Sequence, residues 1–252
     1  MSRENFKPIA IEAPSKNPWL FRIRCWVDLQ LASVAKPLRS ALQGLRGRVL
    51  DIGAGQSPWR DWLGPEATYH GLDVQSAAEY GMQQQADITY YDGSVMPFDK
   101  ACFDAAFCIE VLEHVPNPEF FVGEIARILK PGAKLVLSVP WSARRHHIPY
   151  DFHRFTCERL ASLFASHGFV EIDIQERGND IATIASKCVV VAMRLVKPAH
   201  VSSYIWTLPL ALLWAPIASI LLVLAHLSFV LPIGAKEDPL GYFVIARRAL
   251  EA

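Results

Sequence analysis

Short apolar runs alternate with longer amphipathic stretches over much of the chain. The apolar runs end in an acid, a glycine or a proline, which is typical of buried strands followed by turns. Between two of them, residues 119–129 place Phe121, Ile125 and Leu129 on one helical face, and Lys130-Pro131-Gly132 ends that helix. Strands that alternate with helices predict a doubly wound, parallel α/β sheet. The predicted strands are 48–52, 68–73, 86–88, 103–109 and 134–140.

Residues 201–235 interrupt this alternation, because they contain no Asp, Glu, Lys or Arg. The stretch is longer than the ~20 apolar residues that cross a bilayer. Tyr204 and Trp206 suit a membrane interface, and Lys197 and Lys236 flank the block. A soluble core helix is the alternative, but a helix that is apolar on every side needs a large protein around it. We therefore expect the block to contact a membrane.

Composition narrows the class of protein. The 252 residues carry 25 Lys and Arg against 25 Asp and Glu, and this balance disfavours a nucleic-acid substrate. Five cysteines without a Cys-x-x-Cys spacing indicate reduced thiols in a cytosolic compartment. The length suits one domain with an insertion.

The first predicted strand ends in Asp51-Ile52-Gly53-Ala54-Gly55. The two glycines can adopt positive φ and let a ligand approach the backbone closely. A phosphate-binding turn needs a third glycine, where Ser57-Pro58-Trp59 stand instead, and no Gly-Lys-Ser/Thr occurs, which excludes a P-loop. The pair alone indicates either a ligand-binding turn or an ordinary strand-to-helix turn.

Further acids follow the next strands. Asp73 ends the second strand 22 residues after Asp51, the separation at which Rossmann-like folds place a carboxylate on ribose hydroxyls. Ligands of such sheets bind at the carboxyl ends of the strands, where Gly53, Asp73, Asp92 and Ile109 are predicted. Aspartate is also common in turns and caps, so each acid has that second interpretation.

In this arrangement, the segment from Arg48 to Trp141 resembles the class I S-adenosylmethionine-dependent methyltransferases of the small-molecule type. The matching motifs are 49–55, Asp73, 92–98 with 103–104, 110–115 and 129–132. The resemblance implies a Rossmann-like sheet of seven mostly parallel strands, whose strands six and seven are an antiparallel pair at 169–174 and 242–247. The domains would then be a helical lead (1–45), a methyltransferase domain (46–178 and 238–252) and the apolar helical insertion between strands six and seven (179–237).

The resemblance implies S-adenosylmethionine as the cofactor. Asp73 would accept from the ribose hydroxyls, and Asp51 would orient the glycine turn or the methionine ammonium. Asp92 and Gly93 would read the adenine amino group, and Ile109 would line the pocket. The implied cofactor-binding residues are Asp51, Gly53, Ala54, Gly55, Asp73, Val74, Asp92, Gly93 and Ile109.

The methyl group of a sulfonium is already activated, so such an enzyme mainly aligns the acceptor and excludes water. A general base helps only when the acceptor is protonated. Residues 141–156 should overhang the pocket, and His146 and His153 are the candidate catalytic bases. Nearby arginines at 144, 145 and 154 would hold an anionic acceptor.

The same loop also has a structural interpretation. Asp151 and Arg154 would pair to fix it, and Thr156 would cap the next helix, 157–167. No regular ligand spacing stands out, so no metal is expected.

The leading helix is predicted at 19–42, with a break or kink at Pro37. In related methyltransferases such a helix lies over the cofactor, and that is our first interpretation. A membrane-interface role is the alternative, because Arg22 and Arg24 lie beside Trp19 and Trp26.

The position of the insertion constrains how it meets a membrane. Strands six and seven pair in one sheet, so both ends of the insertion emerge on the same side and a single crossing is excluded. It can fold at Pro216 into two short helices that re-enter one leaflet, lie in the interface, or cross with 181–196 as the second pass. Because Lys187 and Arg194 each cost ~3 kcal/mol at a bilayer centre, we favour the hairpin at Pro216.

These observations predict a methyltransferase at the cytoplasmic face of a membrane, acting on a small amphiphilic or lipid-linked acceptor. Two alternatives stay open. One is a soluble small-molecule methyltransferase whose insertion dimerises, and the other is a non-catalytic cofactor-binding protein. The oligomeric state is not predicted.

Overall fold

The computed structural model describes residues 11–75 and 84–250, which form a single seven-stranded sheet with helices around it. The strands are β1 (Gly47–Ile52), β2 (Ala67–Val74), β3 (Ile88–Tyr91), β4 (Phe103–Ile109), β5 (Leu129–Pro140), β6 (Phe169–Arg177) and β7 (Gly241–Arg248). Their order is β3-β2-β1-β4-β5-β7-β6. β7 is antiparallel to both neighbours and the other pairs are parallel. The predicted Rossmann-like, seven-stranded, mostly parallel sheet is confirmed.

Polar caps begin most of the helices in the described chain. A side-chain oxygen accepts a hydrogen bond from the backbone N–H three residues on, which satisfies a donor that the helix start leaves free. The capping residues are Asn17, Asp28, Asn117, Thr156 and Asn179. The helices are α1 (Pro18–Val27), α2 (Leu29–Gln43), α3 (Pro118–Ile128), α4 (Cys157–Ser166), α5 (Asp180–Val196) and α6 (Tyr204–Ser228).

The sheet is buried on both faces. Successive strand residues point to opposite sides, and helices cover both. On β1, Val49 packs with Leu38 of α2, whereas Leu50 packs in the cluster that contains Val122 of α3 and Leu163 of α4. All five side chains are fully buried. Because helices cover both faces, a ligand can reach the sheet at the ends of its strands.

The leading helix breaks at a different residue from the one predicted. Asp28 has an extended conformation between α1 and α2, and its side chain accepts from the Leu31 N–H at 3.2 Å. Pro37, the predicted break, lies inside α2. α2 continues through the proline because Val34 and Leu38 are buried against the sheet, and this packing offsets the missing backbone hydrogen bond.

The insertion is a helical hairpin, but its turn is not at Pro216. α6 is continuous from Tyr204 to Ser228 with Pro209 and Pro216 inside it, and residues 197–203 join it to α5. The prediction of a fold at Pro216 is therefore wrong. α6 stays helical because α5 packs along it, as the hydrogen bond from Trp214 Nε1 to the Cys188 carbonyl shows (2.9 Å).

The two ends of the hairpin meet at a neck beside the sheet. The Asp180 N–H donates to the Ala235 carbonyl at 3.0 Å, and the Ala235 N–H donates to Asp180 Oδ1 at 3.0 Å. Asn179 Nδ2 also donates to the Ile233 carbonyl at 3.1 Å. The neck fits the expectation that both ends emerge on one side of the domain.

Residues Val201–Ser228 are long and apolar enough to cross a membrane, judged by length and composition. Only 17 % of the most apolar part of this helix is buried. The burial that a soluble core helix would show is missing from the described chain.

Candidate functional site

The strand register brings the predicted cofactor residues to one edge. Asp51 pairs with Gly71 on β2, and Asp73 pairs with Tyr90 on β3. β4 ends beside them at Ile109, which is half-buried. The other predicted positions, Gly53, Ala54, Gly55, Val74, Asp92 and Gly93, lie at or just beyond the same strand ends.

The turn after β1 requires glycine. Gly53 has a φ of 76°, and a Cβ there would lie 2.4 Å from Val111 Cγ2. Gly55 has a φ of 54°. The chain from β1 to β2 then forms a single 3₁₀ turn, Arg60–Trp62, in place of an α-helix. No helix N-terminus follows the turn, in agreement with the exclusion of a phosphate cradle.

Asp73 is held by backbone donors. Its Oδ2 accepts from the Gly55 N–H and its Oδ1 from the Val74 N–H, both at 2.7 Å. Burial raises the pKa of this carboxyl, and the two N–H groups oppose that shift. A carboxylate offers about four acceptor positions, so two remain for ribose hydroxyls.

Asp51 is buried and has one side-chain donor. The Tyr69 hydroxyl lies 3.0 Å from Asp51 Oδ2 and 2.8 Å from Ser57 Oγ. Burial raises the pKa of Asp51 to about 8, against the Tyr69 hydrogen bond, and Asp73 raises it further. A cation beside Asp51 would restore its charge, which fits the predicted contact with a methionine ammonium. Sequence reasoning missed Tyr69, which lies on β2 opposite Val49, two residues before Asp51.

Asp92 and Gly93 form an exposed turn after β3. Asp92 Oδ1 accepts from the Ser94 N–H at 2.9 Å, and hydrogen bonds from Ser94 lower the pKa of this carboxyl. A Cβ on Gly93 would lie 3.6 Å from Val74 Cγ1, so the turn adjoins the end of β2. The role of Asp92 in reading adenine stays a prediction.

A second group of polar side chains surrounds a buried carboxyl. The 3₁₀ turn Leu112–His114 after β4 carries Glu113, whose side chain is fully buried. Neither of its carboxyl oxygens has a hydrogen-bond partner within residues 11–75 and 84–250. Glu113 Oε1 lies 3.6 Å from His114 Nε2 and 3.9 Å from His146 Nε2. Burial, and then Glu110, raise the pKa of Glu113 well above its usual value.

The two imidazoles turn the same nitrogen toward Glu113. His114 Nδ1 lies 2.8 Å from the Tyr150 carbonyl, and His146 Nδ1 lies 3.1 Å from the Arg144 carbonyl. A carbonyl can only accept, so in the neutral rings each Nε2 carries a lone pair. The three groups offer ligand atoms within 4.8 Å of one another, which could hold a metal ion. Their sequence spacing did not indicate this cluster.

The loop after β5 is fixed as the structural interpretation predicted. Arg154 donates to Asp151 Oδ1 at 2.6 Å and to Oδ2 at 2.8 Å, and Thr156 caps α4. Asp151 Oδ2 also accepts from the His146 N–H at 3.1 Å. The loop therefore holds His146 beside Glu113.

The two predicted bases have different surroundings. His146 lies against Glu113, and burial lowers the pKa of its imidazole. His153 lines the neighbouring cleft, packs on Phe155 with ring centroids 5.2 Å apart, and has a buried Nε2 without a partner. Asp151 Oδ2 lies 3.6 Å from His146 Nδ1, whereas no carboxylate within the described ranges forms an ion pair with His153.

The cleft beside this loop has a volume of about 330 Å³. Its wall includes Lys187 of α5, whose Nζ donates to the Ser142 carbonyl at 2.5 Å. Sequence reasoning had treated Lys187 only as a cost of membrane burial. A larger cavity of about 460 Å³ lies around Arg48 and Arg127, away from the strand ends that carry the site. The cleft lining is Trp141, Ser142, Ala143, Arg145, Asp151, Phe152, His153, Arg154 and Lys187.

An ion pair between buried Arg177 and half-buried Glu110 joins the ends of three strands. Arg177 of β6 donates to Glu110 Oε1 at 2.9 Å and to the Val139 carbonyl at 3.0 Å. The Ser138 hydroxyl also donates to Glu110, at 2.6 Å. Glu110 has a φ of 57°, which is uncommon outside glycine. This network fixes the residue from which the Glu113 turn begins.

The sequence matches a family of methyltransferase domains over residues 27–173. It is 34 % identical to a "Ubiquinone biosynthesis O-methyltransferase" of Alkalilimnicola ehrlichii over 109 residues, which cover 38 % of this chain and 43 % of that protein. A protein of the same name from Xanthomonas oryzae is 38 % identical over 100 residues, or 36 % of this chain and 42 % of that protein. The chain thus matches less than half the length of these relatives.

Solved structures share the fold at low identity. The [4+2]-cyclase SpnF has a TM-score of 0.55 and 22 % identity, covering 88 % of this chain and 83 % of that one. A putative sarcosine dimethylglycine methyltransferase from Galdieria sulphuraria has a TM-score of 0.53 and 16 % identity, covering 88 % and 85 %. These likenesses show the fold alone.

Proposed function

This chain belongs to the class I S-adenosylmethionine-dependent methyltransferases, and on that premise we propose that it methylates a hydroxyl of an amphiphilic or lipid-linked small molecule at a membrane surface. S-Adenosylmethionine supplies the activated methyl group. Asp51, Asp73 and the glycine turn between them would hold that cofactor at the strand ends. The relatives named for ubiquinone biosynthesis support an aromatic hydroxyl as the acceptor group.

The observation that carries this proposal is the shared wall of the cleft. Lys187 belongs to α5 of the apolar hairpin and also lines the cleft, where it donates to the Ser142 carbonyl. From Lys187, exposed Val191 continues the same face of α5 one turn further toward the tip. An apolar tail could lie along this helix while its polar head occupies the cleft.

The two faces of the hairpin differ in polarity, which supports a position parallel to the membrane plane within one leaflet. Ile184, Lys187, Val191 and Arg194 have helical spacing on one face of α5, and Lys187 directs that face toward the cleft. The outer face of α6 is apolar and exposed, with Leu212 77 % exposed. With α6 toward the hydrocarbon, the α5 cations would reach the headgroups.

The proposed membrane side is the cytoplasmic face. All five cysteines are free thiols: Cys25, Cys102, Cys108, Cys157 and Cys188. Reduced thiols are typical of the cytosol, which supports this location.

His146 is the proposed proton acceptor. Burial lowers the pKa of its imidazole, so the ring is neutral near pH 7 and its Nε2 can take a proton. When the acceptor oxygen takes the methyl group, its hydroxyl proton would pass to His146, and the sulfonium would leave as a neutral thioether. The Asp151 carboxylate, 3.6 Å from Nδ1, would stabilise the imidazolium. His153 would contact the acceptor from the cleft wall.

The test compares two acceptors with the full chain in phosphatidylcholine vesicles. One is a catechol with an isoprenoid tail and the other is the same catechol without the tail, and S-adenosylhomocysteine formation is measured. We expect kcat/KM to be roughly tenfold higher for the tailed catechol, because its apolar tail is already concentrated in the bilayer. Equal values would favour the soluble, small-molecule alternative.

Two controls separate the remaining outcomes. Carbonate washing of the vesicles reports membrane association independently of turnover, and protein recovered in the supernatant would contradict it. Calorimetric titration with S-adenosylmethionine reports cofactor binding. Cofactor binding without turnover of either catechol would support the non-catalytic alternative or a different acceptor class.

A further inference from the structure

α1 exposes an apolar stripe to the outside of the molecule. The side chains at positions 19, 20, 23, 26 and 27 follow the spacing of one helical face, and Trp19 is 70 % exposed. The opposite face already packs on the domain, since Phe21 contacts Trp59 and Trp62 edge to face. The outer stripe consists of Trp19, Leu20, Ile23, Trp26 and Val27, and all five side chains are exposed, although His226 of α6 lies against one side of Trp26.

This segment is basic, although the whole chain has no net charge. Residues 16–39 contain five cations and one acid, against 25 of each sign in the full sequence. The cations are Lys16, Arg22, Arg24, Lys36 and Arg39, and the acid is Asp28. A second copy of the chain would bring the same positive charge to this surface. An anionic bilayer is complementary to it.

α1 adjoins the apolar hairpin. The Trp26 ring lies 4.5 Å from the His226 ring of α6, and His226 Nε2 lies 2.8 Å from the Trp26 carbonyl. Leu227, the next residue of α6, is 45 % exposed, and Val230 just beyond the helix is 82 % exposed. The exposed stripe of α1 therefore meets the exposed apolar part of the insertion.

We propose that α1 is a second membrane-contacting element, which lies at the headgroup level of a bilayer containing anionic phospholipids. The proposal rests on the membrane association proposed above. Tryptophan favours this depth, and the neighbouring cations bind anionic headgroups. With α1 and α6 both in contact, the attached surface extends from the hairpin onto the domain, which fixes the orientation of the domain on the bilayer.

Hydrogen–deuterium exchange of the full chain in nanodiscs tests the proposal. Three conditions are compared: phosphatidylcholine alone, phosphatidylcholine mixed with phosphatidylglycerol, and detergent. We expect the amides of Pro18–Val27 to exchange roughly tenfold more slowly with phosphatidylglycerol than in detergent. The amides of α2 should exchange equally in all three.

A matched pair of variants gives the control. Trp19→Ser, Leu20→Ser and Ile23→Ser together should abolish the slow exchange of α1 in phosphatidylglycerol without releasing the protein from the bilayer. Phe120→Ser, Val170→Ser and Leu250→Ser remove three similarly exposed apolar side chains elsewhere and should leave it intact. Circular dichroism confirms that both variants are folded.

The outcomes separate this proposal from the one on which it rests. Equal exchange of α1 in all conditions, with α6 protected in nanodiscs, would overturn the role of α1 and leave the membrane association standing. Loss of α6 protection as well, with the protein released from the discs, would overturn both.

Discussion

The carboxyl groups on the two sides of the site differ in their hydrogen-bond partners. On the cofactor side, Asp73 accepts two backbone N–H groups and Asp51 accepts the Tyr69 hydroxyl. On the acceptor side, neither oxygen of Glu113 has a hydrogen-bond partner, and two imidazole nitrogens lie just beyond hydrogen-bond distance. The first side is held by hydrogen bonds within the protein. The second holds a carboxyl whose pKa burial raises well above its usual value.

The largest expected effect tests the acceptor side. His146→Ala should reduce kcat by about 10³-fold and leave S-adenosylmethionine affinity unchanged, because it removes the proposed proton acceptor and spares the predicted cofactor residues. Turnover and calorimetric titration measure the two quantities. Burial lowers the pKa of His146, so the wild-type kcat should begin to fall only at a pH below the usual histidine pKa. This fall in kcat at acidic pH should be absent from the variant, which lacks the imidazole.

His153→Ala is the matched control and should mainly raise KM. Two results would contradict the role of His146. One is a larger kcat loss in His153→Ala. The other is a loss of turnover on chelation that a divalent cation restores, which would make Glu113, His114 and His146 metal ligands instead.

The second prediction tests the organised cofactor side. Gly53→Ala should weaken S-adenosylmethionine binding about 100-fold, since a side chain there must adopt positive φ and displace Val111. Calorimetry measures the affinity. Gly44→Ala is the control, because that glycine has negative φ and its Cβ would lie 3.5 Å from the Ala41 carbonyl. Near-native affinity of Gly53→Ala would show that the turn is adaptable.

A third, smaller expected effect is the release of a proton from Asp51 when the cofactor binds. Because burial raises the pKa of Asp51 to about 8, most molecules carry this proton at pH 7. Binding of a cationic cofactor beside it should release about one proton. Titration in two buffers of different ionisation enthalpy measures the release. Asp51→Asn should abolish it and Asp92→Asn should not, since hydrogen bonds from Ser94 already lower the pKa of Asp92.

The same group affects stability with a definite sign. The folded state retains the Asp51 proton up to about pH 8, whereas the unfolded chain loses it near the ordinary value of 3.8. The free energy of unfolding should therefore fall as the pH rises between these values, and Asp51→Asn should flatten that slope. Urea unfolding across this range measures it. An unchanged slope would contradict the buried, protonated state.

The smallest expected effect tests Lys187, which lines the cleft and belongs to α5 of the hairpin. Lys187→Met should raise the acceptor KM about fivefold with little change in kcat, because the contact with Ser142 that closes the cleft is lost. Arg194→Met, two turns further along the same face of α5, should leave KM unchanged. Equal effects would mean that both cations act through the membrane surface alone.

The sequence predicted those parts of the molecule that short segments specify. Each strand and the residues that follow it are adjacent in the chain, so the positions of Gly53, Asp73 and Ile109 at one edge followed from the alternation of strands and helices. Asp151, Arg154 and Thr156 are likewise close together, and their pairing and capping were predictable.

Long-range packing decided the rest. Pro216 was expected to end a helix, but α5 packs beside it and α6 continues. The cleft joins residues 141–154 to Lys187, and Glu113 meets His146 across a separation of 33 residues. No periodicity within one segment carries such information, which is why the positions of the residues at the strand ends were predicted more fully than those around the cleft.

The neck of the hairpin is a place where the chain could gain or lose the whole hairpin during evolution. Asp180 and Ala235 are linked by two hydrogen bonds, so a short turn between β6 and β7 could replace everything between them without altering the sheet. A hairpin of this kind can be gained or lost as a module during evolution. Because α5 also supplies a wall of the cleft, its exchange would change the proposed acceptor site and the proposed membrane contact in a single genetic event.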